Sequence, residues 1–107
     1  MSLPDYSMQK EIVQAIANCY RDEKRKMEEY ENGLFHPTDD AFRTMNYITG
    51  KIEIVLKYLE EDHRLIIYNE VVLGKKGNWY LDYMSQPTYY RLRKKAYEAF
   101  LHCLDNQ

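Results

Sequence analysis

The sequence predicts an all-α fold, and three observations carry that prediction. Four Gly and three Pro in 107 residues leave too few turns for a chain of many short strands. Apolar residues recur at three- and four-residue steps over most of the length, as one face of a helix requires. A hydrophobic content of 45% with 30% charged residues places the chain among folded globular proteins. One domain spanning 1–107, with a modest core, is expected. Within it, a long antiparallel helix hairpin (1–61) precedes a three-helix unit (62–107).

Pro4-Asp5 marks the first helix start, with Asp5 favourable at its positive end. The helix runs over Tyr6–Glu31. Ile12, Ile16, Cys19, Tyr20, Met27 and Tyr30 form its stripe, widened by Val13 and Ala15. Arg21–Glu31 is nearly all charged. Lys24-Arg25-Lys26 sits among five acids, so mixed-sign pairing on a solvated face outweighs a basic binding patch. Asn32-Gly33 closes the helix, and Leu34-Phe35 in the following connection is expected to fold back on the core.

Thr38 or Asp39 caps a second helix over Asp40–Leu59, with Phe42, Met45, Ile48, Ile52, Val55, Leu56 and Leu59 as its apolar positions. Gly50 inside it costs ~1 kcal/mol relative to Ala and would permit close approach of another helix. A short loop between two long helices predicts the hairpin. Asp62 then caps a third helix over His63–Leu73. Leu65-Ile66-Ile67-Tyr68 alone reads as a strand, but without a partner strand it is read as buried helix. Gly74–Asn78 is a connection, since Gly-Lys-Lys-Gly lacks the spacing of a phosphate loop. Trp79–Met84 makes a short aromatic helix. Ser85 caps the last helix, with Pro87 in its first turn, and Asp105-Asn106-Gln107 is a polar tail.

Cys19 and Cys103 lie on predicted apolar stripes and read as buried free thiols. His36, His63 and His102 show no metal-ligand spacing, so no metal or cofactor is expected. No nucleophile–base pair or carboxylate pair emerges, so the chain is not read as an enzyme. No apolar run approaches the ~18 residues of a membrane span, and a cytoplasmic protein is expected.

Net charge is −2, but it is unevenly distributed. Residues 1–63 hold eight Lys/Arg and thirteen Asp/Glu, a balance of −5; residues 64–107 hold seven and four, a balance of +3. In the last helix Tyr89, Leu92, Ala96, Ala99, Phe100 and Cys103 form the apolar stripe. Gln86, Tyr90, Arg91, Lys94 and Lys95 fall largely off it. Arg91, Arg93, Lys94 and Lys95 are four cations with no acid between Ser85 and Tyr97. A helix, a connection, a short helix and a basic-faced helix follow the helix-turn-helix order, whose second helix enters the DNA major groove. The same pattern also fits a structural helix with a solvated basic face.

The residues His63-Arg64-Leu65-Ile66-Ile67, Trp79, and Ser85, Thr88, Tyr89, Tyr90, Arg91, Lys95 and Ala96 carry a resemblance. This segment resembles region 4 of bacterial sigma factors, and more closely the phage late-operon-type transcriptional regulators of Gram-positive hosts. The whole chain is similar to small uncharacterised helical proteins of mycoplasmas and related Firmicutes. The resemblance covers roughly the last 45 residues. It implies that Gln86, Pro87, Tyr90, Arg91 and Lys94 fall at DNA-facing positions, while Tyr89, Leu92 and Ala96 pack inward; the six residues expected to bind duplex DNA are Gln86, Thr88, Tyr90, Arg91, Lys94 and Lys95. The chain departs from the pattern at Gln86-Pro87, where a basic and then a small polar residue are usual, and in the Gly74–Asn78 connection.

The expected function is a small DNA-binding transcriptional regulator. Its acidic hairpin would form a homodimer or contact RNA polymerase or another regulatory protein. The alternative is a helical protein–protein interaction module without DNA binding, acting through Leu34-Phe35 and the hairpin surface.

Overall fold

The computed structural model describes residues 4–106, so Gln107 at the end of the polar tail lies outside the described residues. The fold is all-α. Helix α1 spans Tyr6–Glu31, α2 Asp39–Tyr58, α3 Glu61–Ile67 and α4 Gln86–Asp105; a π turn at Tyr68–Val72 continues α3, and a 3₁₀ turn at Trp79–Asp82 precedes α4.

Local chemistry explains most boundaries. The Asp5 carboxylate accepts the Met8 amide at 2.9 Å, and the Thr38 hydroxyl accepts that of Ala41 at 3.2 Å. Both satisfy amides that have no intrahelical partner. At the far end of α1, the Gly33 amide bonds Tyr30 O at 3.0 Å and the Leu34 amide bonds Glu29 O at 2.7 Å. That paired closure is a Schellman motif. Two helix starts are capped differently from expectation. Glu60, not Asp62, is the N-cap of α3, so the helix opens two residues early on an acidic first turn. Ser85 takes the extended cap backbone, but its hydroxyl donates to Thr88 Oγ1 at 3.0 Å instead of accepting an amide.

The two long helices run antiparallel. Tyr30 near the end of α1 meets Phe42 near the start of α2, with ring centroids 5.1 Å apart, while Lys24 Nζ reaches Glu53 Oε1 at 3.0 Å farther along. The charged stretch of α1 is a surface ladder, as expected: Arg25 pairs with Asp22, and Lys26 with Asp22 and Glu23. Such solvent-screened pairs add little to stability. The corner from α2 into α3 is fixed by Arg64, which donates from Nε to Leu56 O and from a terminal nitrogen to Leu59 O, both at 2.7 Å. These are carbonyls that a helix end leaves without amides.

One contiguous core joins all four helices: Val13, Ala17 and Tyr20 of α1, Ile52 and Val55 of α2, Ile66 and Ile67 of α3, and Ala96, Tyr97 and Phe100 of α4. The hairpin and the C-terminal unit therefore share a single core. Three burial expectations are corrected. Cys19 is exposed and Cys103 only partly covered: α1 turns Val13, Ala17 and Tyr20 inward and leaves Cys19 outside, and α4 turns Tyr97, Phe100 and Leu101 inward and leaves Cys103 at the margin. Leu34 is 78% exposed, so the Leu34-Phe35 connection does not close over the core. Tyr97 and Leu101 of α4 are buried where Leu92, Ala99 and Cys103 lie at the margin, so the inward face of α4 is rotated from the apolar stripe.

The π turn is the least expected element. Leu73 N–H bonds Tyr68 O at 3.0 Å, a five-residue step that widens the helix locally. The wide turn is braced from outside. Arg21 of α1 donates to Glu70 O at 3.3 Å and Val71 O at 2.9 Å. Asn69, almost fully buried, donates to Leu65 O at 2.8 Å.

Candidate nucleic-acid interface

The site is built outward from one carboxylate. Glu70, in the π turn, has a side chain only 10% exposed, and a buried carboxylate must be surrounded by donors. Four supply them. Trp79 Nε1 donates to its Oε2 at 3.0 Å, the Tyr89 hydroxyl donates to the same oxygen, the Tyr97 hydroxyl donates to Oε1 at 2.5 Å, and Arg93 Nε donates to Oε1 at 3.2 Å. The cluster ties the π turn, the 3₁₀ turn and α4 to each other and so sets the rotation of α4. Tyr80 stacks on Tyr89 with centroids 3.7 Å apart and planes 4° off parallel, which fixes the start of α4.

Electrostatics follow the geometry. Burial first, and then the hydrogen bond and charge of Glu70, raise the Tyr89 phenol far above its ordinary value. Burial and the charge of Glu70 do the same to Tyr97. Burial works against the charged Arg93 guanidinium, but Tyr97 and Glu70 outweigh it, so its pKa is raised and it stays a cation. Both phenols are therefore donors throughout the neutral range, as the carboxylate requires.

This arrangement divides the cations of α4. Arg93 turns inward, over the Tyr97 ring at 4.9 Å, and belongs to the core cluster. Arg91, Lys94 and Lys95 are exposed, and none forms an ion pair among the described residues. Gln86 and Tyr90 are exposed too, linked by a 3.3 Å bond from Gln86 Nε2 to the Tyr90 hydroxyl. Thr88 is partly covered and tied to Ser85. Five of the six residues expected at DNA thus reach solvent. They do not converge on a single point. Lys94 leans toward α1, its ammonium 6.0 Å from the Tyr6 ring, whereas Lys95 lines a shallow depression with His63 of α3 and with Glu98, the acid nearest these cations along α4.

Sequence reasoning left out two further cations. Lys75 and Lys76, in the connection between π turn and 3₁₀ turn, are exposed and line one groove with Tyr90. The groove holds about 490 Å³, with Arg21, Glu70 and Arg93 in its wall. Its inner cations are already engaged, Arg21 by carbonyls and Arg93 by Glu70, which leaves the lysines at its rim as the free charge. Positive φ at Gly74 (68°) and Gly77 (70°) turns the chain sharply on either side of them. A cation pair between two glycines was the available signal.

Among the described residues no group of three His, Cys, Asp or Glu side chains could hold a metal ion. No helix among them is long and apolar enough to cross a membrane. In comparisons with known proteins, no protein-family model, no curated protein and no solved structure matches this chain.

Proposed function

We propose that this protein is a small transcriptional regulator that binds duplex DNA through α4 and the Lys75-Lys76 turn. One observation carries the reading. The turn lysines and Tyr90 share a groove rim, while Arg91, Lys94 and Lys95 extend along the exposed side of the same helix without acidic partners. In this reading the first turns of α4 enter the major groove. Gln86 and Arg91 then reach base edges, since Gln pairs with adenine and Arg with guanine in that groove. Lys75, Lys76, Lys94 and Lys95 neutralise phosphates and fix the register. Tyr90 offers its ring edge and hydroxyl between the two sets. The Glu70 cluster does not touch DNA; it holds α4 at the rotation that keeps these residues outward.

The test is fluorescence anisotropy with labelled duplexes across a salt series. Four phosphate contacts predict a slope of about −3.6 in log K against log salt, from roughly −0.9 per phosphate. Replacing Lys75 and Lys76 together by Ala should make that slope shallower by about 2. Arg91→Ala with Lys94→Ala should weaken binding while leaving the circular dichroism spectrum unchanged. Absence of binding to any duplex at low salt would overturn the proposal.

A further inference from the structure

Helix α2 has a second seam. Its inward side carries Met45, Thr49, Ile52 and Val55. On the opposite side Asp40, Arg43, Tyr47, Gly50, Ile54 and Lys57 follow one another at steps of three, four, three, four and three. That is the spacing of a coiled-coil seam. Nothing in the fold covers it: Tyr47 is 65% exposed and Ile54 47%. A shallow depression of about 430 Å³ lies over Tyr47, Gly50 and Ile54. Gly50 stands in the middle of a helix where a Cβ would meet nothing within 4 Å. Packing within the chain therefore does not call for glycine there, although glycine weakens the helix.

We propose that a second copy of this chain docks antiparallel along this seam, about a two-fold axis passing between the levels of Tyr47 and Gly50. The seam is complementary to its own reverse. Tyr47 falls opposite the partner's Gly50, so the largest seam residue meets the smallest. Arg43 falls opposite the partner's Ile54, and its aliphatic stem can cover that side chain. Asp40 falls opposite the partner's Lys57, and the two-fold repeats this opposite-charge pair at both ends. A parallel pairing would set Tyr47 on Tyr47, Lys57 on Lys57 and Asp40 on Asp40, so like charges select the reverse direction. Lys51 reaches the Tyr47 hydroxyl at 3.4 Å along the seam's flank and positions the ring that fills the partner's gap. The interface is isologous, as two-fold dimers require, and it does not depend on the DNA-binding reading.

The test is sedimentation equilibrium of the full chain and three variants, each checked by circular dichroism. The wild type should weigh twice the chain mass. Gly50→Leu should be monomeric with undiminished helicity, because its side chain enters open space in one copy and collides with the partner's Tyr47 in two. Lys57→Glu should weaken the dimer about tenfold, because the lost pair occurs twice. Adding Asp40→Lys to Lys57→Glu should restore it. A monomeric wild type, a dimer indifferent to Gly50→Leu and Lys57→Glu, or a charge swap that does not rescue would each overturn the proposal.

Discussion

Glu70→Gln is the sharpest probe of how this fold is held. The substitution keeps shape and removes charge. Glu70 accepts from Trp79, Tyr89, Tyr97 and Arg93, and a carboxamide offers one accepting oxygen where the carboxylate offers two. Its amide nitrogen must face donors, and the Arg93 guanidinium loses its counter-charge. Removing one partner of a buried ion pair costs about 3–5 kcal/mol. The Arg93 side chain is 27% exposed, so water recovers part of that, and a loss of about 2–4 kcal/mol is expected. This is a large share of the ~5–15 kcal/mol that holds a domain together. At about 4–8 °C per kcal/mol, the melting midpoint should fall by at least ~8 °C. Urea denaturation should be followed by circular dichroism and by fluorescence of Trp79, the single tryptophan, whose indole nitrogen bonds the altered group. Arg93→Gln placed in the Glu70→Gln background should cost less than in the wild type by about 1–3 kcal/mol, the coupling expected of groups in one network. A loss below ~0.5 kcal/mol, or simple additivity of the two changes, would refute the carboxylate's role as the centre of the cluster.

Two further outcomes follow from the same region. Tyr89 and Tyr97 have raised pKa values in the folded chain, so above pH ~10 the unfolded chain releases protons that the folded chain retains. Stability is therefore intact below that pH and should fall as pH rises, by about 1.4 kcal/mol per pH unit for each retained proton. Tyr97→Phe should make the decline in alkaline urea titrations shallower; an unchanged slope would contradict the assignment. Gly74→Ala and Gly77→Ala both force a left-handed residue, at a cost of about 1–2 kcal/mol. Only at Gly74 would the new Cβ also lie 3.0 Å from the Arg21 guanidinium, while at Gly77 it meets nothing within 4 Å. Denaturation midpoints should thus show Gly74→Ala to be the more damaging, and equal losses would exclude Arg21 as the brace of the π turn.

What the sequence made legible was local. Asp5 and Thr38 announce helix starts because a cap is a contact within four residues, and Gly33 announces an end for the same reason. The extents of α1 and α2 followed almost residue for residue. Glu70 was not legible, because its four donors lie 9 to 27 residues away and only the folded chain brings them together. In the sequence Arg93 is one of four cations between Ser85 and Tyr97, and nothing in that count sets it apart from Arg91 and Lys94. The counter-signal was its place between Tyr89 and Tyr97, four residues from each, on a line that also bears the apolar stripe. The π turn escaped for a different reason: apolar spacing over Leu65–Val72 fits an ordinary helix equally well, and Arg21, which holds the wider turn, lies on another helix. The exposure of Gln86, Tyr90, Arg91, Lys94 and Lys95 followed from periodicity, whereas the place of Lys75 and Lys76 beside Tyr90 depended on the path of a loop.

The reach of Arg21 to Glu70 O and Val71 O spans 49 and 50 positions of sequence. It bears on modularity. By sequence, the last 45 residues look like a cassette that could be cut out and grafted. Yet the turn that presents Glu70 is closed by a side chain from the first helix, and Val13, Ala17 and Tyr20 of that helix supply part of the wall against which the cassette packs. A graft would carry the cations of α4 without the brace that aims them. The two halves of this chain pack as one unit, and substitutions at Arg21 should be read as changes to the C-terminal face.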